Sequence, residues 1–207
     1  MKANEKSIIR KIGLIQTRGA VERKFISLLG GDFRSVEYDT PHEYVQKYWD
    51  AYQLTTGKKA VVNGKIFELI IETLLYREGI LPFYIQAKAA FVPNVDFDVL
   101  FYSENEPVCL SIKTSLRERY KQADLEAVAL KYVHRKAKCY LLTLEKNEAN
   151  NVAGKIANSD VLGLDGMVYC LSEELDTLIS RLKQKNFTES QKVDVVVGQF
   201  VKQIDNL

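Results

Sequence analysis

The sequence predicts an α/β fold, a mixed β-sheet flanked by helices behind an N-terminal helical region. Three observations carry this expectation. Apolar residues recur at helical spacing in the first half of the chain, up to Gly79. The pattern then changes to period two in FYIQAKAAFV, VDFDVLFY and PVCLSIKTS, three strand-like runs in succession. Beyond them helical and short strand-like runs alternate, the order expected when crossovers extend a sheet in parallel fashion.

The elements follow in order. SIIRKIGLIQ and AVERKFISLLGG read as helices, with Gly30 and Gly31 as a stop. PHEYVQKYWDAYQL, opened by Pro41, places Tyr44, Val45, Tyr48, Trp49 and Tyr52 on one side, a stripe that belongs to a core. Asn63 is the expected cap of NGKIFELIIETLLYREG, with Ile66, Phe67, Ile70, Ile71 and Leu74 as its buried stripe and Gly79 as its end. After the three strands come a helix in QADLEAVALKYVHRKA, a strand in CYLLTL, a helix or loop, a strand in GMVYC and a helix in SEELDTLISRLKQ. A last helix is expected behind Thr188 and Gln191, which have capping-box spacing.

With 207 residues the chain suits one domain. It divides into a helical region (1–60), a central core (61–145) and a C-terminal part with a strand and helices (146–207). Hydrophobic residues make up 46% and charged residues 27%, enough apolar material for a real core. No apolar run approaches a membrane span, and the charged N-terminus MKANEKSIIRKIGL does not read as a secretory signal, so no membrane and a cytoplasmic location are expected. Cys109, Cys139 and Cys170 sit singly in apolar runs, which fits core packing in a reducing compartment. With only His42 and His134 besides, a soft-ligand metal site is not expected. Net charge is +2, yet the stretch from Lys113 to Lys138 holds eight basic residues against three acids, a local surplus that could attract phosphate.

The hairpin DFDVLFYSENEPVCLSIKTS carries the chemistry. If Ser103 to Glu106 make the turn, Asp98 lies opposite Ser111 and Asp96 opposite Lys113. Alternation puts Val95, Phe97, Val99 and Phe101 on one face and Asp96, Asp98 and Leu100 on the other. Carboxylates beside an ammonium suit a hard divalent ion, where the lysine can orient water or balance transition-state charge. A partly exposed hairpin with cross-strand ion pairs would give the same pattern.

A helix bearing a glutamate, a strand with an aspartate, a strand ending in x-x-Lys and a further helix resemble the PD-(D/E)xK nuclease superfamily, which includes Type II restriction endonucleases, resolvases and repair nucleases. The resemblance covers about Asn63 to Leu144. Two positions depart from it. Pro93 stands three residues before Asp96, and Ser111 occupies the acidic position two before Lys113. Glu126, 13 residues beyond Lys113, resembles the relocated acid that a subgroup of restriction endonucleases supplies from the following helix. It begins the stripe Glu126, Leu130, Val133 and Ala137, whereas Asp124 follows the wetter course of Val128, Lys131 and Arg135.

The resemblance implies an Mg²⁺-dependent double-stranded DNA endonuclease of Type II restriction type, acting as a homodimer. Asp98, Lys113, Glu126 and Glu68 are its catalytic candidates, with Glu72 the competitor of Glu68. Asp98, Glu126 and Asp96 are the metal candidates, and which aspartate leads stays open. Ser115, Arg117, Arg119, Lys121 and Gln122 are the DNA-binding candidates. A repair or junction-resolving nuclease, and a non-catalytic DNA-binding protein with a degenerate site, are the alternatives.

Overall fold

The computed structural model describes residues 6–56, 60–92, 94–190 and 196–202. Its centre is an open six-stranded mixed sheet. The strands are β1 (Phe83–Ala89), β2 (Phe97–Phe101), β3 (Val108–Lys113), β4 (Lys138–Thr143), β5 (Gly166–Tyr169) and β6 (Val196–Val201), in the spatial order β5-β4-β3-β2-β1-β6. β1, β2 and β3 form an antiparallel meander, while β3, β4 and β5 run parallel. The α/β class expected from the sequence is the one that forms. Strand β3 is the pivot, because it pairs antiparallel on one side and parallel on the other.

One face of the sheet is covered by the helices α1 (Ile8–Lys11), α2 (Ala20–Ile26), α3 (Pro41–Gln53), α4 (Ala60–Arg77) and α7 (Glu173–Lys183). Their side chains share one core with Val99, Phe101, Leu110 and Ile112. The aromatic stripe of α3 does belong to that core: Tyr44, Val45, Tyr48 and Tyr52 are buried, and Phe25 stacks on Tyr48. The opposite face is covered by α5 (Arg119–Val133) and α6 (Lys146–Ala157), where Ala123, Ala127, Leu130 and Val152 pack against Leu100, Cys109, Cys139 and Leu141. All three cysteines are buried and free.

The hairpin has the expected register, pairing Val99 with Leu110, Leu100 with Cys109 and Phe101 with Val108. Phe97 departs from simple alternation. It packs with Ala87 and Leu100 in the α5-side core, not with Val99 and Phe101. Other local expectations change as well. The first run is helical only over Ile8–Lys11, because Gly13 turns the chain at φ +87° and Leu14 returns its amide to the Ile9 carbonyl. Asn63 does not cap α4, which already begins at Ala60; its Oδ1 accepts the Tyr52 hydroxyl instead.

The expected final helix is replaced by a strand, β6, paired antiparallel with β1. Its sequence VVGQFV is rich in valine, and the β1 edge offers it a ladder that outweighs a helix of marginal length. Gln191 lies outside the described residues, as do Pro93 and residues 1–5. Asp124 is also not the solvated acid expected. Its carboxylate takes the amides of Leu162, Gly163 and Leu164 at 3.4, 2.5 and 3.2 Å, tying the loop before β5 to α5.

Gly163 approaches α5 so closely that a Cβ would lie 2.4 Å from the Asp124 carbonyl and 2.6 Å from the Val128 amide. Both neighbours are helix backbone and cannot yield cheaply. Gly163→Ala is expected to destabilise the fold by about 1–3 kcal/mol. Urea unfolding of the two proteins measures this, and equal midpoints would reject the close packing of loop on helix.

Candidate functional site

The backbone ladder between β2 and β3 reaches Val99–Leu110, and beyond it Asp98 takes over. Its Oδ2 accepts the Ile112 amide at 2.7 Å and the Lys113 Nζ at 2.6 Å. A carboxylate thus replaces a backbone carbonyl at the point where the ladder stops. Both side chains are largely buried, with 10% of Asp98 and 15% of Lys113 exposed. The contact is therefore a shielded, charge-assisted pair and not a surface ion pair.

Glu126 projects from α5 and is half-buried. Its Oε1 accepts the Gln122 amide at 2.7 Å. Burial pushes its carboxyl above the ordinary range, opposed by Gln122 and by the Lys113 ammonium, while Asp98 and Asp96 push the same way as burial. The site thus brings Glu126 within the electrostatic field of Asp98, Lys113 and Asp96. Asp96 itself lies before β2, more than half exposed, with Lys88 3.7 Å away. Ser111, across from Asp98 in the hairpin register, is buried, and its Oγ has no hydrogen-bond partner among the described residues.

Glu68 approaches from α4. Its Oε2 accepts Lys65 Nζ at 2.6 Å and Gln86 Nε2 at 3.2 Å. Burial first, then the charge of Asp98, raises its carboxyl, and Lys65 and Lys113 pull it back. Glu72, one turn on, is only 5% exposed and makes no hydrogen bond to the described residues. Burial raises it well above the ordinary range, helped by Glu68 and Asp98. Lys113 therefore stands as the cation between glutamates that come from α4 and from α5.

Among the described residues no group of three or more His, Cys, Asp or Glu side chains is gathered closely enough to cage a metal ion. Mg²⁺ does not require such a cage, since it keeps several waters and takes one or two carboxylates plus substrate phosphate. Among the described residues Asp98 Oδ1 accepts no hydrogen bond, and Glu126 accepts one, from the neutral Gln122 amide. Both residues carry the carboxylate oxygens that a hard divalent ion takes.

The segment after Lys113 is fixed from outside. The Glu148 carboxylate, in the first turn of α6, accepts the Leu116 amide at 2.5 Å and the Arg117 amide at 3.2 Å. Ser115 is partly buried beside this anchor, and Arg117 and Arg119 are exposed. Lys121 and Gln122 are turned toward their own helix, Lys121 to Glu118 at 2.5 Å and Gln122 to Glu126. Part of the basic surplus is neutralised, because Asp165 takes both Lys131 and Lys138. Arg117, Arg119, Arg135 and Lys136 remain exposed, with no ion pair among the described residues.

Sequence reading missed Gln86 and Glu148. Gln86 adopts φ +48° within β1, at the irregularity where β1 pairs with β6, and thereby reaches Glu68. No pattern in the sequence marks a positive φ at a glutamine. Glu148 looks like any acid in a first helical turn. Among the described residues no helix is long and apolar enough to cross a membrane. Comparisons with protein-family models, with curated proteins and with solved structures gave no match.

Two stability outcomes follow from this electrostatics. Lys113→Met leaves the Asp98 charge buried against a single amide, and is expected to cost about 3–5 kcal/mol in urea unfolding; a loss under a tenth of that would show the pair to be solvated. Glu72 acts through pH. A carboxyl raised on folding binds its proton more tightly in the native state, so stability falls as pH climbs past the unfolded value of about 4.3. Glu72→Gln is expected to match the wild-type Tm near that pH and to exceed it by a few degrees at pH 8, where about 2–4 °C corresponds to each kcal/mol. A lower Tm for the variant at pH 8 would contradict the buried, unpaired placement of Glu72.

Proposed function

We propose that this chain is an Mg²⁺-dependent endonuclease that hydrolyses phosphodiester bonds in double-stranded DNA, most like a Type II restriction enzyme. The observation that carries the reading is the meeting of Asp98 and Lys113 at the end of a β-hairpin ladder with Glu126 from the following helix in their field. This is the grouping that the resemblance to PD-(D/E)xK nucleases with a relocated acid requires. Arg117 and Arg119, exposed just beyond Lys113, suit phosphate or base-edge contacts. A homodimer belongs to the same reading, because symmetric cutting of two strands needs two copies of the site.

Asp98 from β2 and Glu126 from α5 are the residues that would hold the cation, whose remaining ligands would be water and a DNA phosphate. When bound, Mg²⁺ polarises the scissile phosphate and lowers the pKa of a bound water. Lys113, steered by Asp98, is placed to stabilise charge on the phosphate or to orient the attacking water. Glu126, raised by burial, would have to release its proton to serve as a ligand, so metal affinity would rise with pH. Glu68 supports Lys113 electrostatically from the α4 side.

One observation favours a second reading, a DNA-binding protein without cleavage. Asp98 Oδ2 is already shared by two donors, and Ser111 stands where the second acid would be expected. A single assay separates the two. Incubation of supercoiled plasmid with and without Mg²⁺ is expected to give discrete linear fragments only with the ion. Asp98→Ala and Lys113→Ala are expected to lower the rate by about 10²–10⁴-fold, and Glu126→Gln likewise, while DNA retention on a gel persists. Nicking alone would favour a repair or junction enzyme, and retained binding with no cleavage would favour the non-catalytic reading.

A further inference from the structure

On the α4 side of the sheet a cavity of about 510 Å³ opens between α4, β1 and the segment running from Leu14 to Glu22. Its volume lies within the about 300–1,000 Å³ of small-molecule sites. Leu14, Ile15, Val21, Leu69 and Ile85 give it a largely apolar wall. Three carboxylates, Glu22, Glu68 and Glu72, also line it, with Lys65 as the one cation among its lining residues. Buried charge of one sign in an apolar wall is costly unless something balances it.

The pairing within the cavity is incomplete. Glu68 takes Lys65. Glu22 is 3% exposed, and its Oε1 accepts the Ser7 hydroxyl and the Arg10 Nε. Its Oε2 is buried and has no hydrogen-bond partner among the described residues. Glu72 has neither hydrogen bond nor ion pair there. Two amides add acceptors. Gln199 spends its Nε2 on the Gly13 carbonyl and Gln86 spends its own on Glu68, while neither side-chain carbonyl accepts a hydrogen bond among the described residues.

We infer that this cavity is a binding site for a small organic cation, an alkylguanidinium or alkylamine, whose head is held by Glu22 and Glu72 and whose stem lies along the apolar wall. Such a head brings several N–H donors to the acceptors left over, whereas the same apolar wall suits no hydrated ion. Among the described residues no three carboxylates are grouped so as to cage a metal ion. An anion is repelled, and a neutral apolar ligand leaves Glu22 Oε2 and Glu72 unsatisfied. The two carboxyls differ in charge: burial opposes ionisation of Glu22, but Ser7 and Arg10 hold it below the ordinary carboxyl value, so it keeps its charge, whereas Glu72, raised by burial, releases its proton when the cationic head arrives. The inference does not rest on the nuclease reading, and its test uses neither DNA nor Mg²⁺.

The probe is agmatine, with n-butylurea as a neutral comparison, added to the whole chain at constant ionic strength. Calorimetry is expected to give saturable binding of agmatine together with a rise in Tm, and no binding of butylurea. Glu72→Gln, which keeps the shape of the protonated carboxyl and so does not endanger folding, is expected to weaken agmatine about tenfold or more, equivalent to about 1.4 kcal/mol. Glu22→Gln is expected to do the same if it folds; the Glu72 variant decides the matter where it does not. Absence of saturable binding by wild type up to millimolar agmatine, equal binding by Glu72→Gln, or equal binding of butylurea would each overturn the inference.

Discussion

The carboxylate of Asp98 fastens the end of the β2–β3 ladder. Where backbone pairing ends, it substitutes for a carbonyl toward Ile112 and for water toward Lys113. Without it the Ile112 amide and the Lys113 ammonium would be desolvated without partners, each at a cost of about 1–3 kcal/mol or more. The same carboxylate places negative charge in the sheet, so that Glu68, Glu72 and Glu126 all sense it from helices on both faces. The lysine beside it is what makes so many carboxylates tolerable in one neighbourhood. Removing either partner would therefore change the protonation of residues that neither touches.

The charge is distributed unequally between the faces. On the α4 side, Glu22, Glu68 and Glu72 crowd around a cavity with Lys65. On the α5 side, exposed arginines follow directly on β3, and Glu148 holds their backbone. Lys113 sits at the boundary between the two regions. A polyanion approaching from the arginine side would meet attraction first and carboxylates only beyond the lysine. That polarity gives an approach direction to any phosphate-bearing partner of the site.

Much of this was readable in the sequence, and the reasons differ by residue. The hairpin register follows from a four-residue polar turn between two alternating runs, and a slip of one residue would put Asp98 and Lys113 on opposite faces. Glu126 could be placed because the helical spacing of its neighbours fixes its face. Asn63 and Asp124 defeated local reading because each prefers a distant partner, Tyr52 in one case and the loop 162–164 in the other. The run VVGQFV falls within the expected last helix because nothing nearby announces β1; only the tertiary edge makes it a strand. Gln86 is invisible for a further reason, as its unusual backbone arises from the mismatch between two strands far apart in the chain.

That last pairing has a bearing on how the chain is made. Strand β1 is a sheet edge until β6 arrives, and about a hundred residues are synthesised between them. During translation the meander and the parallel strands can assemble while β1 presents a free row of amides and carbonyls to neighbouring chains. The exposed Lys88 ammonium interrupts that row and disfavours intermolecular pairing in the interval. Expression that crowds nascent chains would accordingly favour aggregation through this edge, and a chaperone that shields extended segments would relieve it.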